Sequence, residues 1–274
     1  MEQKFSISQA MGLPQAQFTV KLPSYGCEMY PETSTLHDKE FITLKRMGAE
    51  QEDILGNPEL VQSGQFVDML LGQIIIDSID VKELHPKDKE ALMIEARNRS
   101  IKTEYTSIAV CPNKLCNHVE QTFHFDLNDF QNKEKPETSE LVDVNTFKTT
   151  LSDFPSIEIY YKILNGYELE DLKKRSQEAA RKGRNFSETK EEIKAKVTKL
   201  VFDFNNDKVT CTEPLQIDEF VKNLELGQIQ EFKKIYEDSQ PQLDLVRPYK
   251  CPKCKQDGDV AVPLDIRFFW SQIE

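Results

Sequence analysis

Two pairs of cysteines have the spacing of metal ligands. Near one end of the chain, Cys251-Pro-Lys-Cys254 places two thiolates on one tight turn. Earlier, "SIAVCPNKLCNHVEQTFHFDL" carries Cys111 and Cys116 between two segments of strand character. Because Zn²⁺ takes four sulfur ligands in a tetrahedron, two such knuckles complete one closed site. We therefore predict one structural zinc ion, held in a zinc ribbon by Cys111, Cys116, Cys251 and Cys254.

The same cysteines admit other assignments. They could be unmetallated thiols packed in a core, because free cysteine is often buried. His118 in "CNH" could replace Cys116 as a ligand, since imidazole also binds zinc. Cys251 and Cys254 have the spacing of a thioredoxin-type redox pair, but that motif opens a helix, whereas a Gly-Asp turn and a strand follow here.

The elements that position the knuckles recur in the same order in both halves. "GAEQEDI" at 48–54 matches "GYELEDL" at 166–172, and apolar segments ending in Asp follow at 72–80 and 199–207. Helix signals come next, and each half then reaches its cysteine turn. This recurrence predicts an α+β fold of two duplicated modules, each ending in a cysteine-knuckle hairpin.

Local patterns give a coarse division of the chain. "FITLKRM", "IEIYYKIL" and the segments beside the cysteines alternate or are apolar, which predicts strands. The acidic "GAEQEDILG" and "GYELEDLKKRSQEAARKG" predict helices, the second running on into a charged stretch with a capping box at Thr189. We predict four parts, namely an N-terminal arm (1–20), a first module (21–130), a polar linker (131–148) and a second module (149–274).

Composition narrows the class of protein. The chain has 274 residues and a formal net charge of -12, which lowers the expectation of nucleic-acid binding. The most apolar stretch, "FVDMLLGQIIIDSI", is interrupted by acids and amides, so we expect core and no membrane span. No signal peptide is evident, so the six cysteines are expected in a reducing cytoplasm as thiols or metal ligands. Cys27 and Cys211 have no partner pattern and are expected to be ordinary thiols.

No catalytic residue is predicted. His37, His85 and His124 are isolated, and the chain contains no Gly-rich phosphate loop or nucleophile elbow. The acidic pairs at 52–53 and 170–171 fit the first turns of helices, where carboxylates favour the helix dipole. A metal-dependent hydrolase would need an open coordination position, which a four-sulfur site does not provide.

The C-terminal "IRFFWSQIE" concentrates three large apolar side chains, Phe268, Phe269 and Trp270. Chain ends usually fray, so such a cluster needs a reason. Two are left open. The three rings could fold back into the core of the second module, or they could form a contact for a partner protein.

The order of "LPS", the "E-E-D-L" helix and above all "CPKC … VPLDIRFFW" resembles the baseplate hub assembly proteins of T-even-type contractile-tailed bacteriophages and related tail assembly proteins. The resemblance matches Cys251 and Cys254 to the second knuckle of that family, and Cys111 and Cys116 to the first, whose four-residue spacing is wider than the usual two. It implies a non-enzymatic virion or late assembly protein, acting in the tail baseplate or the host cytoplasm and binding other tail proteins. The alternative is a zinc-ribbon accessory of a nucleic-acid complex, with Lys250, Lys253 and Lys255 near the metal.

Overall fold

The chain combines helices with several small sheets, and this confirms the predicted α+β class. In the computed structural model, the described residues are 17–24, 26, 28–111, 113–116, 120–129, 132–133, 140–243, 245–262, 264 and 266–270. Cys27, His118 and most of the predicted arm (1–20) therefore lie outside the described residues. Within the described part, no helix combines the length and apolar character needed to cross a membrane.

The first half of the chain contains two hairpins separated by helices. Its elements are β1 (Gln17–Lys21), β2 (Phe41–Lys45), α1 (Ala49–Leu55), α2 (Pro58–Ser63), α3 (Phe66–Ile74), α4 (Pro86–Ser100), β3 (Glu104–Val110) and β4 (Glu120–Asp126). Strands β1 and β2 are antiparallel, with Val20 opposite Ile42, so the end of the predicted arm belongs to this hairpin. Beyond α3, Ile75 forms an antiparallel bridge to Leu44 on the other side of β2.

Local chemistry explains the helices of the first half. Asn57 caps α2 by accepting hydrogen bonds from the backbone N–H groups of Glu59 and Leu60, at 3.0 and 3.3 Å. Gly64 then ends the helix at a φ of 74°, a backbone conformation that glycine adopts without a Cβ clash. The apolar stretch that follows forms α3, which buries Leu70 and Leu71 completely. The stretch is thus a core helix, as expected.

The second half contains a five-stranded antiparallel sheet covered by helices. Its elements are β5 (Asn132–Lys133), β6 (Glu140–Asp143), β7 (Thr146–Leu151), β8 (Phe154–Tyr161), α5 (Gly166–Arg181), α6 (Glu188–Lys196), β9 (Val197–Phe204), β10 (Asp207–Cys211), α7 (Pro214–Lys222), α8 (Leu226–Ser239), β11 (Gln242–Leu243), β12 (Val246–Lys250), β13 (Asp257–Ala261) and α9 (Arg267–Trp270). The sheet order is β10-β9-β8-β7-β6, and Ile159 of β8 faces Leu200 of β9.

Helix α5 is shorter than the sequence predicts. Asn165 and Glu168 form a capping box at its start, but the helix ends at Arg181 and Gly183 takes a φ of 61°. A separate helix, α6, begins after Ser187, whose hydroxyl accepts from the backbone N–H of Lys190. The predicted capping box at Thr189 is therefore wrong, because Thr189 already lies within the first turn of α6.

Part of the predicted linker (131–148) forms β-strands. Its later part supplies β6 and the start of β7, and the turn between them is held by Asn145. The Asn145 amide side chain exchanges two hydrogen bonds of 2.9 Å with the backbone of Ile163, while its own N–H donates to the carbonyl of Glu28 at 2.9 Å. This turn therefore contacts the first half, and buried apolar side chains of both halves form one continuous core.

Candidate metal centre

Each cysteine pair lies in the turn that connects the two strands of a hairpin. In the first, Cys111 follows β3, and Cys116 closes a short 3₁₀ turn that precedes β4. In the second, Cys251 follows β12 and Cys254 precedes β13. The strands predicted beside both cysteine turns are thus confirmed, and the antiparallel pairing of each hairpin places its two cysteines together.

The structure brings all four sulfurs into one cluster. The Sγ atoms of Cys111, Cys116, Cys251 and Cys254 lie within 4.8 Å of one another. Across the two hairpins, Cys111 Sγ is 3.5 Å from Cys254 Sγ, and Cys116 Sγ is 3.7 Å from Cys251 Sγ. Four sulfurs at Zn–S bonds of about 2.3 Å have edges of about 3.8 Å, so these separations fit a tetrahedral ion. They are too long for disulfides, whose sulfurs are about 2.05 Å apart.

The second knuckle is a closed backbone turn. The N–H of Cys251 donates to the carbonyl of Gln256, and the N–H of Lys255 donates to the carbonyl of Cys251, both at 2.9 Å. Lys255 takes a φ of 59°, which allows the chain to reverse within these few residues. Backbone N–H groups of Cys254 and then Lys253 point at the sulfur of Cys251 and lower its pKa to about 6. This turn favours the thiolate, the form that binds metal.

The first knuckle holds its cysteines by a different turn. The side-chain oxygen of Asn113 accepts a hydrogen bond from the N–H of Leu115 at 2.9 Å. The backbone carbonyl of Asn113 accepts one from the N–H of Cys116, also at 2.9 Å. Burial raises the pKa of Cys111, and burial together with the neighbouring thiols raises that of Cys116 to about 12. Metal binding would therefore release protons from this knuckle, because sulfur binds a cation as the thiolate.

Aromatic packing joins the two hairpins below the cysteines. The rings of Phe123 in β4 and Tyr249 in β12 lie 4.7 Å apart, centroid to centroid. Tyr249 also covers Gly258, its partner across the second hairpin, and a Cβ at Gly258 would meet the Tyr249 ring at 2.9 Å. Gly258 leaves the space that the Tyr249 ring needs. The packing of Tyr249 on Phe123 therefore fixes the two hairpins relative to each other next to the sulfur cluster.

The C-terminal aromatic residues separate into two classes. Phe268 and Phe269 of α9 are 0% and 3% exposed, whereas Trp270 is 38% exposed. The two phenylalanines therefore belong to the continuous core that both halves share, and not to a separate core of the second module. Phe268 contacts the first half, because its ring centroid lies 5.5 Å from that of Tyr105 in β3.

Arg97 in α4 anchors this segment, and the sequence did not single it out. Its side chain is fully buried and donates to the carbonyls of Phe268 and Lys102 at 2.8 and 2.6 Å, and to that of Glu104 at 3.3 Å. Its guanidinium also lies over the rings of Phe268 and Tyr105. Nothing in "EARNRS" separates this arginine from its neighbour Arg99, because only the packing identifies the inward face.

A second buried polar group was also missed. Asp88 in the first turn of α4 is fully buried, and its carboxylate accepts the N–H of Ser24 at 3.0 Å and the hydroxyl of Tyr30 at 2.5 Å. Burial raises the pKa of Asp88. The ring nitrogens of His85 lie 3.2 and 3.5 Å from the carbonyls of Met29 and Leu164. These contacts hold Ser24, Met29 and Tyr30, together with Leu164 of the second half, against the start of α4.

Comparison with known proteins gives one result. A family model described as T4 bacteriophage base plate protein matches residues 14–270, a span that includes both cysteine knuckles and α9. No curated protein and no solved structure matches significantly. The match covers most of the chain and agrees with the resemblance seen in the sequence. The chain belongs to the T4 bacteriophage base plate protein family.

Proposed function

We propose that this protein is a component or assembly factor of the baseplate hub, and that one structural zinc ion joins its two halves. The observation that carries the architectural part is the meeting of four sulfurs from opposite halves within 4.8 Å. Cys116 and Cys251 are separated by 135 residues, so one ion would close a long loop. Because the four sulfurs meet only in the folded chain, an ion held by them would stabilise the fold through its binding free energy.

We infer zinc from the donor set. Four thiolates in a tetrahedron suit zinc or an iron–sulfur centre, whereas magnesium and calcium prefer oxygen ligands. The sulfur separations of 3.5 and 3.7 Å match the edge of a single-ion tetrahedron. In such a site every coordination position is filled by the protein. The ion would therefore stabilise the fold and would not activate water, which supports a non-enzymatic role.

We further propose that the two halves, 21–130 and 149–274, arose by duplication. Together with the first-strand residues that precede these bounds, from Gln17 and from Thr146, each half has an antiparallel strand pair followed by helices. A segment then returns beside the second strand, and more helices and a cysteine hairpin follow. The returning segment is Ile75 beside Leu44 in the first half, and Leu200 beside Ile159 in the second. The returning segments differ in length, since Ile75 forms a single bridge in the first half, whereas β9 pairs as a full strand in the second. Equal order with unequal length is what divergence of two copies produces.

The baseplate role implies other tail proteins as partners, in the virion tail or in assembly intermediates formed in the host cytoplasm. Quantitative mass spectrometry of hub intermediates, complete baseplates and mature tails from infected cells tests this. We expect the protein to purify with the hub intermediate, and its presence in mature tails then distinguishes a component from an assembly factor. Recovery only with peripheral baseplate subassemblies, or with no tail particle at all, would refute the hub role.

A further inference from the structure

The two turns that carry the sulfur cluster expose one large apolar side chain and two basic side chains to solvent. Leu115, beside Cys116, is 91% exposed, the largest exposure among the large apolar side chains of the described residues. Lys253 and Lys255, on either side of Cys254, are also exposed. Because all four sulfurs lie within 4.8 Å, the Cα atoms of Leu115 and Lys253 are at most about 20 Å apart. We name Leu115, Lys253 and Lys255 the knuckle tip.

Leu115 is exposed on a turn whose backbone is fixed by hydrogen bonds. Its N–H is bound by the Asn113 side chain, and the next residue is a buried cysteine of the cluster. On the other knuckle, Lys255 is fixed by the hydrogen bond from its N–H to the carbonyl of Cys251. A bound metal ion would further restrict both turns, because each supplies two of its ligands. A preorganised apolar side chain loses little conformational entropy when it enters a partner.

The charge of the tip is opposite to that of the chain. The formal net charge of the protein is -12, yet Lys253 and Lys255 have no ion-pair partner in the described part of the chain. The nearby Lys250 reaches Asp257 only at 3.7 Å, and both of these side chains are more than 70% exposed. The knuckle tip is thus a small basic and apolar patch on an acidic protein. Its positive charge favours a partner with an acidic surface.

Resting on the proposed baseplate function, we propose that the knuckle tip docks into a partner protein of that assembly, with Leu115 in an apolar pocket and the two lysines facing an acidic rim. A protein fits better than a nucleic acid. Leucine cannot stack on bases as aromatic side chains do. Two lysines neutralise few phosphates, whereas two charges suffice to orient a protein contact.

Site-specific photo-crosslinking in infected cells tests this contact. The full-length protein carries Leu115→p-benzoylphenylalanine, and a matched variant carries the same group at Leu215 of α7, which is 83% exposed and outside the tip. Crosslinked peptides are identified by mass spectrometry. We expect position 115 to label a tail protein at an apolar site flanked by Asp or Glu, and position 215 not to label that site. No protein crosslink at 115, the same product from both positions, or a crosslink to nucleic acid would each overturn the proposal.

Charge variants complete the experiment. In the crosslinking protein, Lys253→Glu with Lys255→Glu should reduce the labelled product roughly tenfold, because the rim charges would then repel. Lys253→Arg with Lys255→Arg should leave it unchanged, and an unchanged metal content and melting temperature show that both forms are folded. Equal labelling by the two charge variants would contradict the acidic rim. Labelling of an acidic pocket on a protein outside the tail would refute the baseplate role while leaving tip docking intact.

Discussion

Cys116 Sγ lies 3.7 Å from Cys251 Sγ, although 135 residues separate the two cysteines along the chain. Each knuckle offers two sulfurs, so a four-sulfur site forms only when both halves are folded and apposed. The two hairpins are also packed through Phe123 and Tyr249. Metal binding and the association of the halves should therefore be coupled, since each favours the other.

Arg97→Ala should strongly destabilise the protein. The change removes a buried guanidinium and leaves the carbonyls of Phe268, Lys102 and Glu104 without their donor. We expect the free energy of unfolding to fall by about 3 to 5 kcal/mol, measured by urea denaturation. Arg99→Ala is the matched control, because Arg99 is on the same helix with a side chain 56% exposed, and should cost less than about 1 kcal/mol. Similar losses for both variants would contradict the anchoring role of Arg97.

Phe268→Ala and Trp270→Ala separate packing from docking at the C-terminal end. Phe268 is fully buried, so its truncation should cost about 3 to 5 kcal/mol, seen as early melting or insolubility. Trp270 is 38% exposed and should cost at most about 2 kcal/mol. If Trp270→Ala keeps its melting temperature but no longer enters baseplate particles, Trp270 is a partner contact. Normal incorporation would instead exclude Trp270 as a contact needed for assembly.

Asp218 should make the packing of α6 on α7 sensitive to acid. Its carboxylate accepts from Lys222 at 2.5 Å and from Lys194 and Lys190 at 2.9 Å, and these bonds hold its pKa far below the ordinary value. The stabilisation is therefore present above the unfolded pKa of about 3.9 and is lost as pH falls through the lower folded pKa. Asp218→Asn should lower the melting temperature at neutral pH, and its difference from wild type should shrink below about pH 4.

Asp171→Asn is the control for this pH dependence. Within the described residues, Asp171 has one ion pair, an exposed i,i+4 pair with Arg175, so its removal should change the melting temperature little. A difference between Asp218→Asn and wild type that stays constant from neutral to acid pH would show that the lysine contacts do not depress the Asp218 pKa.

Gly258→Ala should disturb the support of the metal centre. The added Cβ would meet the Tyr249 ring at 2.9 Å, which forces the ring away from its place beside Phe123. We expect weaker metal retention in a competition with a chelator and a lower melting temperature. Gly72→Ala is the control, because among the described residues no atom outside its own helix backbone and chain neighbours lies within 4 Å of the added Cβ. Alanine also favours a helix interior. That variant should be slightly more stable, and equal metal loss in both would exclude a role for the Tyr249 packing.

Much of this arrangement is predictable from the sequence because its signals are local. Cysteine spacing groups four ligands, alternation predicts the strands beside them, and the Asn165 and Glu168 cap lies where a helix is expected. The boundaries are less predictable. Charged residues run through 176–196 and favour one long helix, but Gly183 ends the first helix with a positive φ and Ser187 caps the second.

Buried polar residues are the part that the sequence does not reveal. Asp88 resembles an ordinary first-turn acid, and Arg97 resembles a surface arginine, because helical spacing alone does not say which polar residue faces inward. Their partners are Ser24 and Tyr30 for the first and Phe268 for the second. These contacts are distant in sequence, and only the folded chain brings them together.

The central claim is that one zinc ion is shared by both knuckles, and metal analysis of purified variants tests it most directly. The wild-type protein should contain about one zinc per chain. Cys111→Ser and Cys251→Ser should lose it to the same degree, whereas Cys211→Ser, which removes a cysteine outside the cluster, should retain it. If Cys111→Ser keeps a full complement of zinc while Cys251→Ser loses it, the two halves do not share an ion.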